Sequence, residues 1–146
     1  MRILISWDHG QVPARLFDTP SGRAVFAALP IHANASRRGG EMRISAALGL
    51  KREAGARQVV ETGTLCYWIE GASLTLALSP GRPTRLAAPC NVLGCLEGDP
   101  AALQGVRNGH LLVLSRLAED GDAAARSGAL SAPSSPAPGR FLSGSP

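Results

Sequence analysis

A small, mostly antiparallel β-barrel is the fold this sequence predicts, and three observations predict it. Short apolar runs recur along the chain with apolar and polar positions alternating. Gly-, Pro- and Asn-bearing turns separate them, and helix punctuation is confined to two short stretches. The chain has 146 residues, 45% hydrophobic and 18% charged, enough apolar material for one core and the usual size of one domain.

Residues 2–7 are rich in β-branched and aromatic residues, and Asp8-His9-Gly10-Gln11 follows with turn chemistry. In 12–17, Val12, Ala14 and Leu16 share one face, so the two runs make a hairpin. Pro13, lacking an N–H, sets its strand at an edge or on a bulge. A helix comes next: Thr19 caps it, Pro20 takes the first position, Val25, Phe26 and Leu29 form one stripe, and Pro30 closes it. So short a helix must pack across the end or face of a sheet.

Residues 33–40, polar and glycine-rich, are expected to be a loop. Met42, Ile44, Ala46 and Leu48 then alternate with polar or small residues as a half-exposed strand, with Arg43 opposite the apolar face. Gln58-Val59-Val60 leads through Glu61-Thr62-Gly63 into 64–69, and Glu70-Gly71-Ala72 turns into 73–78, so two strands and a tight connection are expected. A loop is expected to run on to Pro89, and then a strand over 91–97, in which Gly94 marks a bulge or a close approach. Asp99-Pro100 repeats the cap-plus-proline device for a short helix ending near Val106, and 110–114 supplies the closing strand. The barrel is assigned to 1–117. A tail, 118–146, is expected to be disordered: from Glu119 onward 20 of 28 residues are Ser, Ala, Gly or Pro.

Aromatic residues are 4% of the chain, too few for the stacking platforms of single-stranded nucleic-acid binding. The net charge is +4, but its 14 Arg and Lys51 are dispersed, only Arg37-Arg38 and Lys51-Arg52 being adjacent, so no nucleic-acid partner is expected. Two arginines against three acids give the stretch from Glu119 a net −1, which leaves +5 on the barrel. No run approaches the ~20 apolar residues that cross a bilayer. The chain opens on an amphipathic strand, so no membrane partner and a cytoplasmic location are expected.

Cys66, Cys90 and Cys95 are odd in number and form no CxxC, so they read as small buried hydrophobes. If Cys90 and Cys95 share a strand, their separation of five places them on opposite faces. His9, His32 and His110 sit in or beside turns, without metal-binding spacing, and no GxSxG or phosphate-cradling glycine loop is present. No metal and no cofactor are expected. At the helix start, Asp18, Thr19 and Arg23 read as structural capping rather than as an anion site.

Local strings sharpen the fold. Asp18-Thr19-Pro20 leading to Arg23 and Ala28-Leu29-Pro30, then residues 57–68 (RQVVETGTLCYW), Pro89-Cys90-Asn91-Val92-Leu93-Gly94 and Gly98-Asp99-Pro100 resemble the cyclophilin-like family of small, uncharacterised prokaryotic proteins. They occur in that family's order and cover residues 2–116. The resemblance implies a closed cyclophilin-like β-barrel of about eight strands capped by helices. Two places depart from it: Arg37-Arg38-Gly39-Gly40-Glu41 stands where the family reads Arg-Trp-Gly-Asp-Glu, and Tyr67-Trp68-Ile69-Glu70-Gly71 where it reads Tyr-Trp-Pro-Pro-Gly.

Fold does not fix function, so the site is argued from residues. Tyr67 and Trp68 are adjacent, so one ring faces the core and the other faces out, where it could line a cleft with Glu41 and Asn91. Binding of a small molecule or short peptide in that cleft is the expected function. The enzymatic alternative is a peptidyl-prolyl cis-trans isomerase with Arg43 as the donor that weakens amide resonance. A third expectation is a protein-interaction module working through the sheet edge near Pro13.

Overall fold

The computed structural model describes residues 1–118. The expected tail lies outside the described residues from 119 onward. The first two runs form the expected hairpin, β1 (Arg2–Trp7) against β2 (Gly10–Leu16), with Trp7 opposite Gly10. Helix α1 (Pro20–Ala28) follows, its Thr19 side chain accepting from the Gly22 amide at 3.0 Å and Pro20 at the first position. Val25 and Leu29 of its stripe are buried in the main core, and Phe26 packs against it.

Residues 33–40 are not a loop. They belong largely to β3 (Ile31–Arg38), which pairs with β9 (Leu111–Leu117) on one side and β4 (Glu41–Ser45) on the other; only Gly39-Gly40 turns. His32, Asn34, Ser36 and Arg38 are exposed while Ile31 and Ala35 are buried, a half-buried strand whose inward residues are too few and small to show as an apolar run. Two neighbouring ladders hold it extended where its own propensity does not.

Strands β6 (Thr64–Trp68) and β7 (Ser73–Ala77) match expectation, the tight connection carrying Ala72 at φ +47°, and β5 (Arg57–Val60) is a separate strand before them. The expected loop to Pro89 is also overturned. Strand β8 begins at Thr84 and runs to Leu96, its first half pairing with β5 across an interrupted register and its second half with β6. A 3₁₀ helix, Pro100–Gly105, is capped by Asp99, which accepts from the Ala101 amide at 2.9 Å.

Pairing runs β2-β1-β9-β3-β4-β7-β6-β8, and β8 returns to β2, so eight antiparallel strands close a ring, with β5 attached outside it. Closure passes through Gly94, which lies opposite Leu16 and also Leu65. A Cβ there would collide with the Arg15 carbonyl, so this crossing of β2 and β8 requires glycine. The inward residues, among them Ile3, Ile5, Met42, Ile44, Leu65, Leu74, Leu76 and Leu114, form one core, and Leu103 and Val106 of the 3₁₀ segment cover one end of it.

A second, smaller cluster lies outside the wall. There Val60, Leu86 and Cys90 of the β5–β8 ribbon cover Cys66 and Ala77, with Trp68 and Val92 at the margin. The β6–β8 register slips between Leu65 and Cys66. Cys95, opposite Thr64 and Arg15, therefore faces out, as Cys90 does. The expected opposite-face placement of these two thiols fails because the bulge adds a residue. Five residues of strand still set them roughly 16 Å apart, far beyond disulfide reach.

Candidate functional site

Strands β4, β7 and β6 are adjacent, and their register sets Arg43 opposite Thr75, Thr75 opposite Cys66, and Ser73 opposite both Ser45 and Trp68. Met42, Ile44, Leu65, Tyr67, Leu74 and Leu76 point into the core, so these rows point outward. The sequence left open which ring of the Tyr67–Trp68 pair turned outward; it is Trp68.

Arg43 reaches across β7 and lays its guanidinium 4.4 Å from the centroid of the Trp68 ring. A single contact of 3.4 Å joins its Nε to Glu41 Oε1, and both side chains are largely buried. The Trp68 ring also packs on the turn into β7. A Cβ at Gly71 would overlap the Cε3 and Cζ3 atoms of the indole, so glycine is needed for the ring to fold back on the chain. Two polar atoms on this face, Trp68 Nε1 and Thr75 Oγ1, are buried and make no hydrogen bond. Leaving such a group unpaired costs roughly 1–3 kcal/mol.

Beneath the ribbon, burial pushes the Cys66 thiol up to about 12, the neighbouring Cys90 adding to the effect, and burial pushes Cys90 up to about 11. Thiols held protonated in this way are poor nucleophiles. The Cys90 thiol donates to the Ala88 carbonyl at 3.2 Å. These residues behave as the small apolar groups their sequence context suggested.

Glu41, Arg43 and Trp68 thus come together, whereas Tyr67 and Asn91 stand on the inner side of the same wall. The Tyr67 hydroxyl donates to the Ala46 carbonyl at 2.7 Å and accepts from the Leu48 amide at 3.2 Å. Asn91 is fully buried: its amide donates to Ser21 Oγ at 2.9 Å and the Lys51 carbonyl at 2.8 Å, and its oxygen accepts from the Glu53 amide at 2.8 Å. Glu53 in turn accepts from the Ser21 amide at the start of α1, 2.8 Å away. An anion does meet the free amides of α1, and it is the chain's own Glu53 carboxylate. Together these bonds strap residues 46–53 across the barrel end. Sequence reading could not foresee this strap, since Ser21, Glu53 and Asn91 are far apart along the chain.

Arg23 pairs at the surface with Asp18 at 2.5 Å. Pro13 is not at a free edge: β2 is paired with β1, and the Glu97 amide donates to the Pro13 carbonyl just beyond the ladder to β8. A cavity of about 300 Å³ opens beside the 3₁₀ segment, lined by Thr62, Leu78, Pro80, Asp99, Pro100 and Gln104 among others, and includes none of the expected site residues. Among the described residues no His, Cys, Asp or Glu cluster could hold a metal ion, and no helix is long and apolar enough to cross a membrane.

The sequence model of the cyclophilin-like family matches residues 1–115, all of the ring but the last two residues of β9. The chain belongs to the cyclophilin-like family. Seven chains of solved structures match it. One is a hypothetical protein of Archaeoglobus fulgidus known from a solution structure, 29% identical with a TM-score of 0.65 over 80% of this chain and 95% of the other. No curated protein matches. For this cyclophilin-like chain the family accounts for the ring, and the chemistry of the outer face rests on its own side chains.

Proposed function

We propose that this cyclophilin-like protein binds a small molecule or a short peptide on the outer face of β4, β7 and β6, through a carbonyl or carboxylate oxygen. The observation that carries this reading is the Arg43 guanidinium stacked on Trp68, with Trp68 Nε1 and Thr75 Oγ1 buried and unpaired beside it. The stacked Arg43 guanidinium is a donor already held in place, so little entropy is lost in ordering it, and a small shift of the indole opens Trp68 Nε1 and Thr75 Oγ1 to the same acceptor. The indole gives the apolar part of the ligand a flat surface. Glu41 limits the excess positive charge and leaves most of the guanidinium donors unengaged, since only Nε bonds to it.

A thermal-shift screen of metabolites and short peptides tests the reading. A ligand at a hundred times its Kd adds about 2.7 kcal/mol of stability. The shift should vanish in Arg43→Ala; a shift that survives in that variant contradicts the assignment.

Peptidyl-prolyl isomerisation is the second reading, favoured by the outward, half-buried placement of Arg43 beside an aromatic ring. It predicts acceleration of a protease-coupled prolyl-peptide assay that Arg43→Ala abolishes. A rate equal to background in the parent chain removes it.

A further inference from the structure

Ring closure leaves one strand with a bare side. Within the ring each of the eight strands has a neighbour on both sides, whereas β5 pairs only with the first half of β8 and ends the sheet. Such a row of main-chain donors and acceptors can template another strand, and proteins ordinarily blunt it with lysine, proline or a covering element. Strand β5, Arg-Gln-Val-Val, carries neither lysine nor proline, and Val59 is 42% exposed. At ~3.3 Å per residue its four residues offer roughly 13 Å of edge.

Positive charge predominates beside this edge: Arg57, Arg82 and Arg85 are exposed, against the exposed Glu61. Val59 faces away from the barrel, and Arg57, opposite the wall-facing Cys90 beyond the register break, is exposed at the end of the ribbon. Arg85, directly opposite Val59 on β8, is exposed too. Neither Arg57 nor Arg85 has a carboxylate partner among the described residues.

We propose that β5 is a docking edge for an extended acidic segment of a partner protein, which adds a strand to the β5–β8 ribbon and brings its carboxylates to the exposed Arg57 and Arg85. Main-chain hydrogen bonds supply affinity and the two arginines supply selectivity. A second copy of the chain fits less well, since it would gather Arg57 and Arg85 of both protomers on one ribbon. The chain's own Glu119, Asp120 and Asp122 follow β9, which stands across the ring from β6. From Ala118 to Asp122 the chain spans at most about 14 Å, short of a tilted eight-stranded ring on the order of 15 Å across with the ribbon outside it.

The test titrates the full chain into a fluorescein-labelled decapeptide of alternating valine and glutamate, and into the same peptide N-methylated at every second residue. The expected result is binding of the unmodified probe, with amide shifts in residues 57–60 and at Arg85. Methylation should weaken it at least about tenfold, near 1.4 kcal/mol, and so should the double variant Arg57→Glu, Arg85→Glu, whose exposed positions leave the core untouched. Equal binding of the methylated probe would mean ionic attraction alone and overturn the proposal. So would no binding of the unmodified probe, or a dimer in sedimentation that Val59→Lys dissolves, which would make the occupant a second copy.

Discussion

Strands β4, β6 and β7 carry two different apolar layers on their two sides. Inside, their side chains join a core of 21 buried residues to which every ring strand contributes. Outside, five buried residues and two half-buried ones lie under a two-stranded ribbon. Tyr67 and Asn91, on the inner side, have their hydrogen bonds made, whereas Trp68 Nε1, Thr75 Oγ1 and Thr84 Oγ1, on the outer side, have none; Arg37 Nε, on the residue opposite the inward Met42, is also unpaired. The inner layer is the larger of the two, and the proposed binding face lies on the outer one.

The largest expected effect comes from cutting the inner layer. Leu76→Ala should cost ~2–5 kcal/mol of unfolding free energy, because the closed ring cannot collapse into the gap. Leu86→Ala should fall at the bottom of that range, since the ribbon can settle onto the wall. Native-state hydrogen exchange should then show faster opening at residues 57–60 and 84–86 and unchanged protection in β1 and β9. Equal costs with global opening in both would dissolve the distinction between the layers.

Polar substitutions sharpen it. Asn91→Ala should lose roughly 1–3 kcal/mol in chemical denaturation, because it orphans the Glu53 amide and the Lys51 carbonyl. Thr75→Val should be neutral or slightly stabilising, since the hydroxyl it removes makes no bond, and should still weaken the ligand of the outer face.

Gly71→Ala acts on one ring. It should leave the melting temperature within a few degrees, a change on the order of 1 kcal/mol, yet displace the indole, read as an altered near-ultraviolet circular dichroism band and lost ligand response.

At neutral pH Cys66→Ala should cost on the order of 1 kcal/mol. Its use is in alkali. The folded-state value of Cys66 is raised from 9.0 to about 12, so the stability it contributes is present below pH 9 and is lost as pH rises from there toward 12. The parent should lose stability over that window more steeply than Cys66→Ala.

Most of the ring was legible in the alternation of the sequence, because a strand with one solvated face writes its period into the chain. Strand β3 was hidden, as small and polar residues line it and pairing from β4 and β9 imposes its conformation. The early start of β8 was hidden likewise, Pro83 and Pro89 reading as breakers around a segment that β5 holds extended. At the site, alternation placed Arg43 outward, and the adjacency of Tyr67 and Trp68 required opposite faces without saying which ring went in. The roles of Asn91, Ser21 and Glu53 depend on contacts between distant segments that no local pattern encodes. The bulge at Leu93 changed the parity on which the placement of Cys90 and Cys95 depended.

The most direct test of the outer-face site is the indole N–H resonance of Trp68 in a ¹H–¹⁵N correlation spectrum, recorded while a ligand found by thermal shift is titrated into the full chain. Trp7 is the other tryptophan and serves as the internal reference. The account predicts that the Trp68 signal moves downfield, as expected for an unpaired N–H gaining an acceptor, while Trp7 stays still. A ligand that saturates the protein and leaves the Trp68 indole signal unmoved would contradict it.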